Sequence, residues 1–263
     1  MSENIDWYNP RISENHGLVV VLDAMGVRDL DIEQTKVFLA NFHAWLVIAD
    51  VFKDASCREK NPLETTIQSL YPPEMVVCQD TIFITWNVID READVALAIK
   101  LGDMLLKSLV HALNRKLLFR GAISVGSFIS HEITIPSQNS NERKFKVVVG
   151  PAVRDAWNWH DRAEWMGVVA TPSMGIKLSS EQERRLVESK PPFEEFVRYP
   201  VPLKDEKASE MWCVAWPREL IRASGEKARE RMLQYMEGFE VPRGTENKYS
   251  NTLQFFDTVH SLL

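Results

Sequence analysis

The sequence lacks the features that mark secreted, zinc-binding and membrane-spanning proteins. Its 263 residues include only three cysteines, which are scattered and form no C-x-x-C pair. This argues against a disulfide framework or a structural zinc site and fits a reducing cytosol. The polar, acidic start MSENIDWYN predicts no secretory signal, and no apolar run reaches the length of a membrane span. We therefore expect a cytoplasmic protein with no membrane partner, in which Cys78 and Cys213, lying in apolar runs, are small core residues.

An excess of positive charge is also missing. The chain carries 31 Lys and Arg against 37 Asp and Glu, a net charge of −6. A general nucleic-acid binder normally presents a basic face to phosphate, so no nucleic-acid partner is expected. The length is sufficient for one large domain with additions.

The segment GLVVVLDAMG, from Gly17 to Gly26, predicts a strand buried on both faces, because Leu18 to Leu22 is an unbroken apolar run. The run ends at Asp23, and a turn containing Gly26 precedes an amphipathic helix. An acidic residue at the mouth of a buried strand can hold a metal ion, and the free N–H groups of the turn can hold phosphate. The alternative is that Asp23 only caps the strand or helix.

A second segment, MVVCQDTIFITWN from Met75 to Asn87, predicts a hairpin with Asp80 at its tip, although the turn lacks glycine. If this hairpin lies beside the first strand, Asp23 and Asp80 meet at one edge of the sheet. Two carboxylates held close repel each other unless a cation lies between them. Hard oxygen ligands suit Mg²⁺ or Mn²⁺ carrying a nucleoside triphosphate.

Four motifs in order resemble the catalytic domain of class III nucleotidyl cyclases: strand–Asp–x–x–Gly–helix, the strand–Asp–strand hairpin, LLFRGAISVG and VVVGPAVRDAWNW. The wording QDTIFIT, FRGAISVG and VVVGPAV resembles the bacterial pyrimidine cyclases of phage defence, the Pycsar enzymes. The resemblance implies an α+β fold with a ferredoxin-like βαββαβ core over 17–172 and helical and strand additions. We expect a leader at 1–16 and an extension at 173–263 packed on the core, to which no function is assigned.

The resemblance also implies a two-metal active site. Asp23, Asp80 and the carbonyl of Ala24 would hold two Mn²⁺ or Mg²⁺ ions. The β- and γ-phosphates would be cradled by backbone N–H groups from residue 25 to residue 29 and by one guanidinium; this phosphate-binding set comprises Met25, Gly26, Val27 and Arg28.

The family further uses an asparagine and an arginine on the helix after the fourth motif, and here those positions carry Arg154 and Asn158 in exchanged order. Residues four apart share a helix face, so both could reach one phosphate, but the exchange leaves the transition-state geometry open. Arg120 lies in an otherwise apolar strand, where pairing with a sheet-edge carboxylate or carbonyl is favoured over catalysis.

Apolar residues at two positions predict which nucleotide base the site would accept. At the family's purine-reading positions the chain carries Val76 and, on the returning strand, a residue near Val147. A pyrimidine read by other groups is therefore favoured, UTP over CTP, with candidate base contacts at Tyr71, Glu74, Lys146 and Trp86.

The resemblance implies a homodimer with active sites completed across a two-fold interface, and a product sensed by a downstream cyclic-nucleotide effector in antiphage defence. Trp157, Trp159 and Trp165 would suit that interface, or the core. Two alternatives stay open: a purine cyclase with an altered pocket, and a catalytically silent module that binds nucleotide or a partner.

Overall fold

The structure, a computed structural model, describes residues 12–27, 30–56, 73–88, 93–135, 143–204, 208–237 and 245–263. In chain order its elements are β1 Asn15–Ala24, α1 Ile32–Ser56, β2 Glu74–Cys78, β3 Thr81–Asn87, α2 Asp94–Asn114, β4 Phe119–Ile135, β5 Arg143–Val149, α3 Pro151–His160, β6 Gly167–Ala170, α4 Pro172–Val187, β7 Phe196–Val201, β8 Ser209–Val214, α5 Pro217–Ser224, α6 Ala228–Glu237 and α7 Glu246–Ser261.

The first six of these elements form the predicted βαββαβ core. The strand order is β2-β3-β1-β4-β6-β8-β7, with β5 paired to the distal half of β4. Strand β1 is central and antiparallel to both β3 and β4, and Leu18 to Leu22 are fully buried as predicted. The sheet continues through β6 into β8 and β7, so strands of the 173–263 segment extend the same sheet.

Local chemistry explains how helix α1 begins and how the β2–β3 turn forms. Helix α1 begins with a reciprocal capping box, because the Gln34 N–H donates to Asp31 Oδ1 (2.8 Å) and the Asp31 N–H donates to Gln34 Oε1 (2.9 Å). The β2–β3 turn manages without glycine because Gln79 itself adopts a φ of 59°. The hairpin prediction is confirmed.

Two sequence predictions need correction, and one helix has no predicted counterpart. The sequence from Pro151 to about Trp165 predicts one helix, but α3 ends at His160, and Trp165 lies in the core, where its ring contacts Tyr199 and Phe255. No prediction covers helix α5, Pro217–Ser224, which begins three residues after the end of β8 at Val214. Cys213 is buried as expected, but Cys78 is exposed because β2 is an edge strand.

Within the described ranges, no helix has both the length and the apolar content needed to cross a membrane.

Candidate active site

The two predicted metal-binding aspartates lie at the same rim of the sheet. Strands β1 and β3 pair so that Asp23 stands opposite Thr81, and the Ala24 N–H donates to the Asp80 carbonyl oxygen at 3.0 Å. Both aspartates are half-buried. The hairpin therefore lies next to β1, which is the arrangement on which the convergence of Asp23 and Asp80 depended.

Asp23 is held by side chains from both neighbouring strands. Thr81 Oγ1 donates to Asp23 Oδ1 (3.3 Å), and Arg120 Nε donates to Asp23 Oδ2 (2.9 Å). Arg120 also reaches Asp161, with Nη1 2.6 Å from Oδ1. The Arg120–Asp23 pair is only 15% exposed on each side. Arg120 thus has the sheet-edge carboxylate partner that its apolar strand demanded, and the partner is a candidate metal ligand.

The 173–263 segment brings further charge to this rim. Lys204 Nζ lies 2.7 Å from Asp161 Oδ1. Burial, reinforced by repulsion from Arg120 and Lys204, lowers the pKa of Lys248. Partial burial alone would raise the pKa of Asp161, but its hydrogen bond from Lys204 and the charge of Arg120 outweigh this and lower it. Cations and carboxylates therefore alternate beside Asp23.

His160, the last residue of α3, is buried against the same cluster. Its Nδ1 is hydrogen-bonded to the Trp157 carbonyl oxygen. Burial lowers the pKa of His160 and outweighs the opposing effects of that hydrogen bond and of the Asp23 charge. The imidazole is therefore biased toward its neutral form.

Only part of the predicted phosphate-binding turn is available. The Met25 N–H donates to the Leu118 carbonyl oxygen at 2.8 Å and is already used. The N–H groups of Gly26 and Val27 have no backbone acceptor among the described residues, and Gly26 has a φ of 81° that favours glycine. Arg28 lies outside the described residues.

Arg154 and Asn158 lie together on the exposed side of α3. The opposite side of this helix packs on the sheet through Ala152, Val153 and Ala156. Neither Arg154 nor Asn158 forms a side-chain hydrogen bond or ion pair with a described residue. They point away from the sheet, so within one chain they are not brought to Asp23.

An aromatic contact fixes which face of the sheet α3 covers. The exposed Trp157 ring stacks on Phe83 of β3, with centroids 5.8 Å apart and planes 6° apart. Phe83 stands opposite Val21 in the β1–β3 register. Since alternate residues share a face, Phe83, Thr81, Asp23 and Arg120 line one face, which we call the α3 face.

Two of the predicted base contacts meet on this face. Glu74 Oε2 accepts hydrogen bonds from Ser130 Oγ and contacts Lys146 Nζ, both at 2.7 Å. Burial would raise the pKa of Glu74, but the bonds from Lys146 and Ser130 prevail and lower it.

The structure does not place the remaining base-contact candidates beside Glu74 and Lys146. Trp86 is a wrong candidate, because it stands five positions after Thr81 on β3, faces the opposite side of the sheet and is buried. Val147 lies next to Lys146 on β5 and so faces away from Glu74. Tyr71 lies outside the described residues.

The donor set fits a magnesium-type ion. Mg²⁺ is usually held by one or two carboxylates together with substrate phosphates and water, and Asp23 and Asp80 supply two carboxylates at one rim. Within the described ranges no group of three or more His, Cys, Asp or Glu side chains is assembled for metal binding. A metal here would therefore arrive with its nucleotide and would compete with Arg120 for Asp23.

Sequence reasoning missed four rim residues, namely Asp161, His160, Lys204 and Lys248. Lys204 and Lys248 belong to the segment after residue 172, where no motif marks them. Contacts between distant parts of the chain bring that segment to the rim: the Lys204 N–H donates to the Arg162 carbonyl oxygen, and Asn251 Nδ2, three residues after Lys248 on α7, donates to the Glu164 carbonyl oxygen.

Comparison with known proteins identifies the fold. The catalytic core of a rhodopsin-guanylyl cyclase with converted specificity, in complex with ATPαS, is similar with a TM-score of 0.50 and 12% identity over 78% of this chain and 98% of its own. The guanylate cyclase domain of RhGC from Catenaria anguillulae, in complex with GTP, gives a TM-score of 0.47 at 12% identity, covering 77% of this chain and 97% of that one. A bacterial light-regulated adenylyl cyclase gives 0.40 at 13%, covering 96% and 59%.

No protein-family model and no curated protein matches the sequence. At 12% identity the first of these likenesses establishes architecture and not activity. The α+β fold expected from the sequence is nevertheless the observed one: this chain has the fold of a nucleotidyl cyclase catalytic core.

Proposed function

We propose that this chain is a nucleotidyl cyclase that converts a pyrimidine nucleoside triphosphate, UTP in preference to CTP, into its 3′,5′-cyclic monophosphate and pyrophosphate. The product would be a second messenger read by a cyclic-nucleotide-sensing effector, and the resemblance to the Pycsar enzymes extends the proposal to phage defence.

The observation that carries the proposal is the placement of Asp23 and Asp80 at one rim of a cyclase-type sheet. These carboxylates would hold two Mg²⁺ or Mn²⁺ ions with the substrate. The similar guanylyl cyclase core was solved with ATPαS, a nucleoside triphosphate analogue. The bound metal would lower the pKa of the ribose hydroxyl and neutralise charge on the phosphates.

The reaction forms a bond between the ribose 3′-oxygen and the α-phosphorus and breaks the bond from that phosphorus to the β-phosphate bridging oxygen. The hydroxyl proton passes to solvent and pyrophosphate leaves. Arg120 and Lys204, already at the rim, are placed to bind phosphate oxygens once the carboxylates that they now pair with are engaged elsewhere.

The Glu74–Lys146 pair supports a pyrimidine substrate. Lys146 offers a hydrogen-bond donor and Glu74 Oε1 remains as an acceptor, because Oε2 is the atom contacting Ser130 and Lys146. Uracil presents an N3–H donor beside carbonyl acceptors, and cytosine presents an amino donor beside N3. Both pyrimidines complement the pair, and Val76 offers no polar group for a purine edge.

A homodimer is part of the proposal because one chain does not assemble the whole site. Arg154 and Asn158 are exposed on α3 and point away from Asp23. The β4–β5 ribbon also leaves apolar side chains uncovered on one face, with Ile133 opposite Phe145 and 41% and 50% exposed. A second copy could cover this surface and supply the missing pair of residues.

The test is turnover with each of the four ribonucleoside triphosphates and Mn²⁺, with products identified by mass. We expect one dominant cyclic pyrimidine monophosphate, abolished by Asp23→Asn and by Asp80→Asn. The matched control is Asp103→Asn, an exposed carboxylate paired with Lys107 on α2, which should turn over normally.

Activity that survives either rim substitution would reject the metal assignment, and a cyclic purine as the main product would reject the base assignment. A silent nucleotide-binding module is the second candidate, favoured by the ion pair that already engages Asp23. It predicts nucleotide binding by calorimetry with no cyclic product from any of the four triphosphates.

A further inference from the structure

A groove outside the candidate active site opens where two strands of the sheet diverge. Strand β6 ends at Ala170 and pairs with β8 only at Val169–Cys213, whereas β8 extends back to Ser209. The chain passes from β6 into α4, which begins at Pro172, and no strand of the described ranges fills the gap. The resulting cavity of about 370 Å³, which we call the α4–β8 groove, is lined among others by Trp159, Gly175, Ile176, Ser179, Arg198 and Trp212.

The groove is bordered by an exposed guanidinium that two contacts orient and that has no ionic partner among the described residues. Arg198 Nη1 donates to Ser179 Oγ at 3.3 Å, and its Cζ lies 5.5 Å from the Trp212 ring centroid. Arg198 forms no ion pair with any residue that the structure describes. Two contacts therefore orient the cation while its remaining N–H groups stay available, an arrangement suited to binding a carboxylate.

Ser179 adds a directed donor beside it. Its Oγ accepts hydrogen bonds from Trp212 Nε1 (2.9 Å) and from Arg198. Both of its lone pairs are thus engaged, and it donates to no described residue. The hydroxyl proton is left for an acceptor in the groove, next to the guanidinium.

The same groove carries two carboxylates, Glu183 and Glu210, that form no ion pair within the described part of the chain. Glu210 lies on β8 two residues from Trp212, which stands opposite Arg198, so it is a diagonal neighbour of that arginine. A ligand that is only an anion would be repelled by these groups, and one that is only a cation would leave Arg198 unused.

An aromatic slot completes the groove. Gly175 has no side chain, and a Cβ built there would lie 3.8 Å from Trp212 Cδ1, so the groove reaches the Cδ1 edge of Trp212, a side chain that is otherwise buried and only 8% exposed. Trp159 and Ile176 line the same space. An aromatic ring can pack in such a slot at favourable ring distances.

We propose that the α4–β8 groove binds a small aromatic zwitterion of the α-amino acid class. The carboxylate would bind Arg198 and the Ser179 hydroxyl, the ammonium would bind Glu210 or Glu183, and the ring would lie beside Trp212. This site is distinct from the rim that carries Asp23 and does not depend on turnover there.

The experiment is calorimetry and thermal shift on the full chain, with L-tryptophan and L-phenylalanine as probes. The comparators are indole-3-propionate, which lacks the ammonium, and tryptamine, which lacks the carboxylate. We expect both amino acids to bind and each comparator to bind at least about tenfold more weakly, as loss of a charge-assisted bond implies.

Two variants locate the site. Arg198→Gln should weaken amino-acid binding about tenfold or more. Gly175→Leu should fill the slot and abolish binding while leaving the fold intact, because leucine is a better helix former than glycine and the contact distance is ordinary. Arg184→Gln, which removes an exposed arginine on α4 outside the groove, is the control and should bind normally.

The proposal is overturned if neither amino acid binds, if a comparator binds as tightly as L-tryptophan, or if Gly175→Leu binds like the unaltered chain. All three readouts are binding measurements, so the result stands whatever the outcome of the cyclase assay.

Discussion

Arg120 links two carboxylates of the rim by ion pairs. Its guanidinium bridges Asp23 and Asp161, and it shares a largely buried pair with Asp23. Removing one member of such a pair leaves the other charge without its partner, which costs more than the pair itself contributes. The arginine therefore stabilises the metal-free rim by the same contacts that a bound metal would have to displace.

This gives the first prediction. Without metal, Arg120→Gln should lower the free energy of unfolding by about 1–3 kcal/mol, because the bond from Thr81 is then the one side-chain hydrogen bond that Asp23 keeps from the described residues. The double variant Asp23→Asn/Arg120→Gln should lower the free energy of unfolding by less than the sum of the two single variants. We expect a coupling energy of about 1–3 kcal/mol, measured by urea unfolding. Effects that add within about 0.5 kcal/mol would show that the two side chains do not interact.

His160 predicts a pH dependence of stability. Burial lowers its pKa below the ordinary 6.5, so the unfolded chain binds a proton at a higher pH than the folded chain does. The stabilisation is present above 6.5 and is lost as the pH falls through the folded pKa. Asp161 does not add to this window, because its pKa is lowered from 3.8.

The measurement is urea unfolding at pH about 7.5, 6.5 and 5.5, where one proton can contribute at most about 1.4 kcal/mol per pH unit. His160→Gln should flatten the fall in stability toward acid, whatever its effect at neutral pH. An unchanged slope in the variant would assign the acid sensitivity to another group.

At the scale of elements, the sequence was informative where apolar periodicity and capping act locally. The buried run of β1, the capping box of α1 and the β2–β3 hairpin all follow from neighbouring residues. The end of α3 does not follow from neighbouring residues. The apolar side chains in 161–166 continue the pattern beyond His160 but pack on other elements, and Trp165 contacts Phe255 of α7, 90 positions later in the chain.

In the candidate site, too, some residues could be predicted from neighbouring sequence and others depend on contacts between distant parts of the chain. Asp23 and Asp80 could be proposed because each adjoins a recognisable strand, whereas Lys204 and Lys248 reach the neighbourhood of Asp161 through contacts between distant parts of the chain. Glu74 and Lys146 were proposed separately, and their direct contact depends on how the β4–β5 ribbon folds over β2. No local pattern specifies that contact.

A buried carboxylate joins the core to the later segment. Asp94, at the start of α2, is fully buried; its Oδ2 lies 3.3 Å from His16 Nε2 of β1 and contacts Lys177 Nζ of α4. Its Oδ1 has no hydrogen-bond partner in the described part of the chain. One side chain thus ties together three elements.

We expect Asp94→Ala to lower the free energy of unfolding, measured with a chemical denaturant, by about 2–4 kcal/mol. This is somewhat less than the loss on breaking a fully buried ion pair, because Lys177 and His16 can regain contact with water. Asp94→Asn/Lys177→Met should recover part of that loss, since no unpaired charge remains. Asp103→Ala, which breaks an exposed pair on the same helix, should cost under about 1 kcal/mol. Equal costs for Asp94→Ala and Asp103→Ala would show that the buried cluster is not a stabilising link.

At the scale of the whole molecule, the question is whether one chain or two make an active site. The inward side of α3 packs on the sheet through Ala152 and Ala156, so Arg154 and Asn158 on its outward side face away from their own Asp23. In a two-fold dimer both halves occur twice, and each site would combine the aspartates of one copy with the α3 residues of the other.

This arrangement predicts complementation between inactive subunits. Heterodimers of an Asp23→Asn subunit and an Arg154→Ala/Asn158→Ala subunit, isolated by two affinity tags, should contain one intact site and regain about half of the unaltered activity. Heterodimers of Asp23→Asn with Asp80→Asn are the control and should stay inactive, because every site then carries one damaged aspartate. A chain that builds its site alone would give no activity in either heterodimer, since each subunit would carry its own defect.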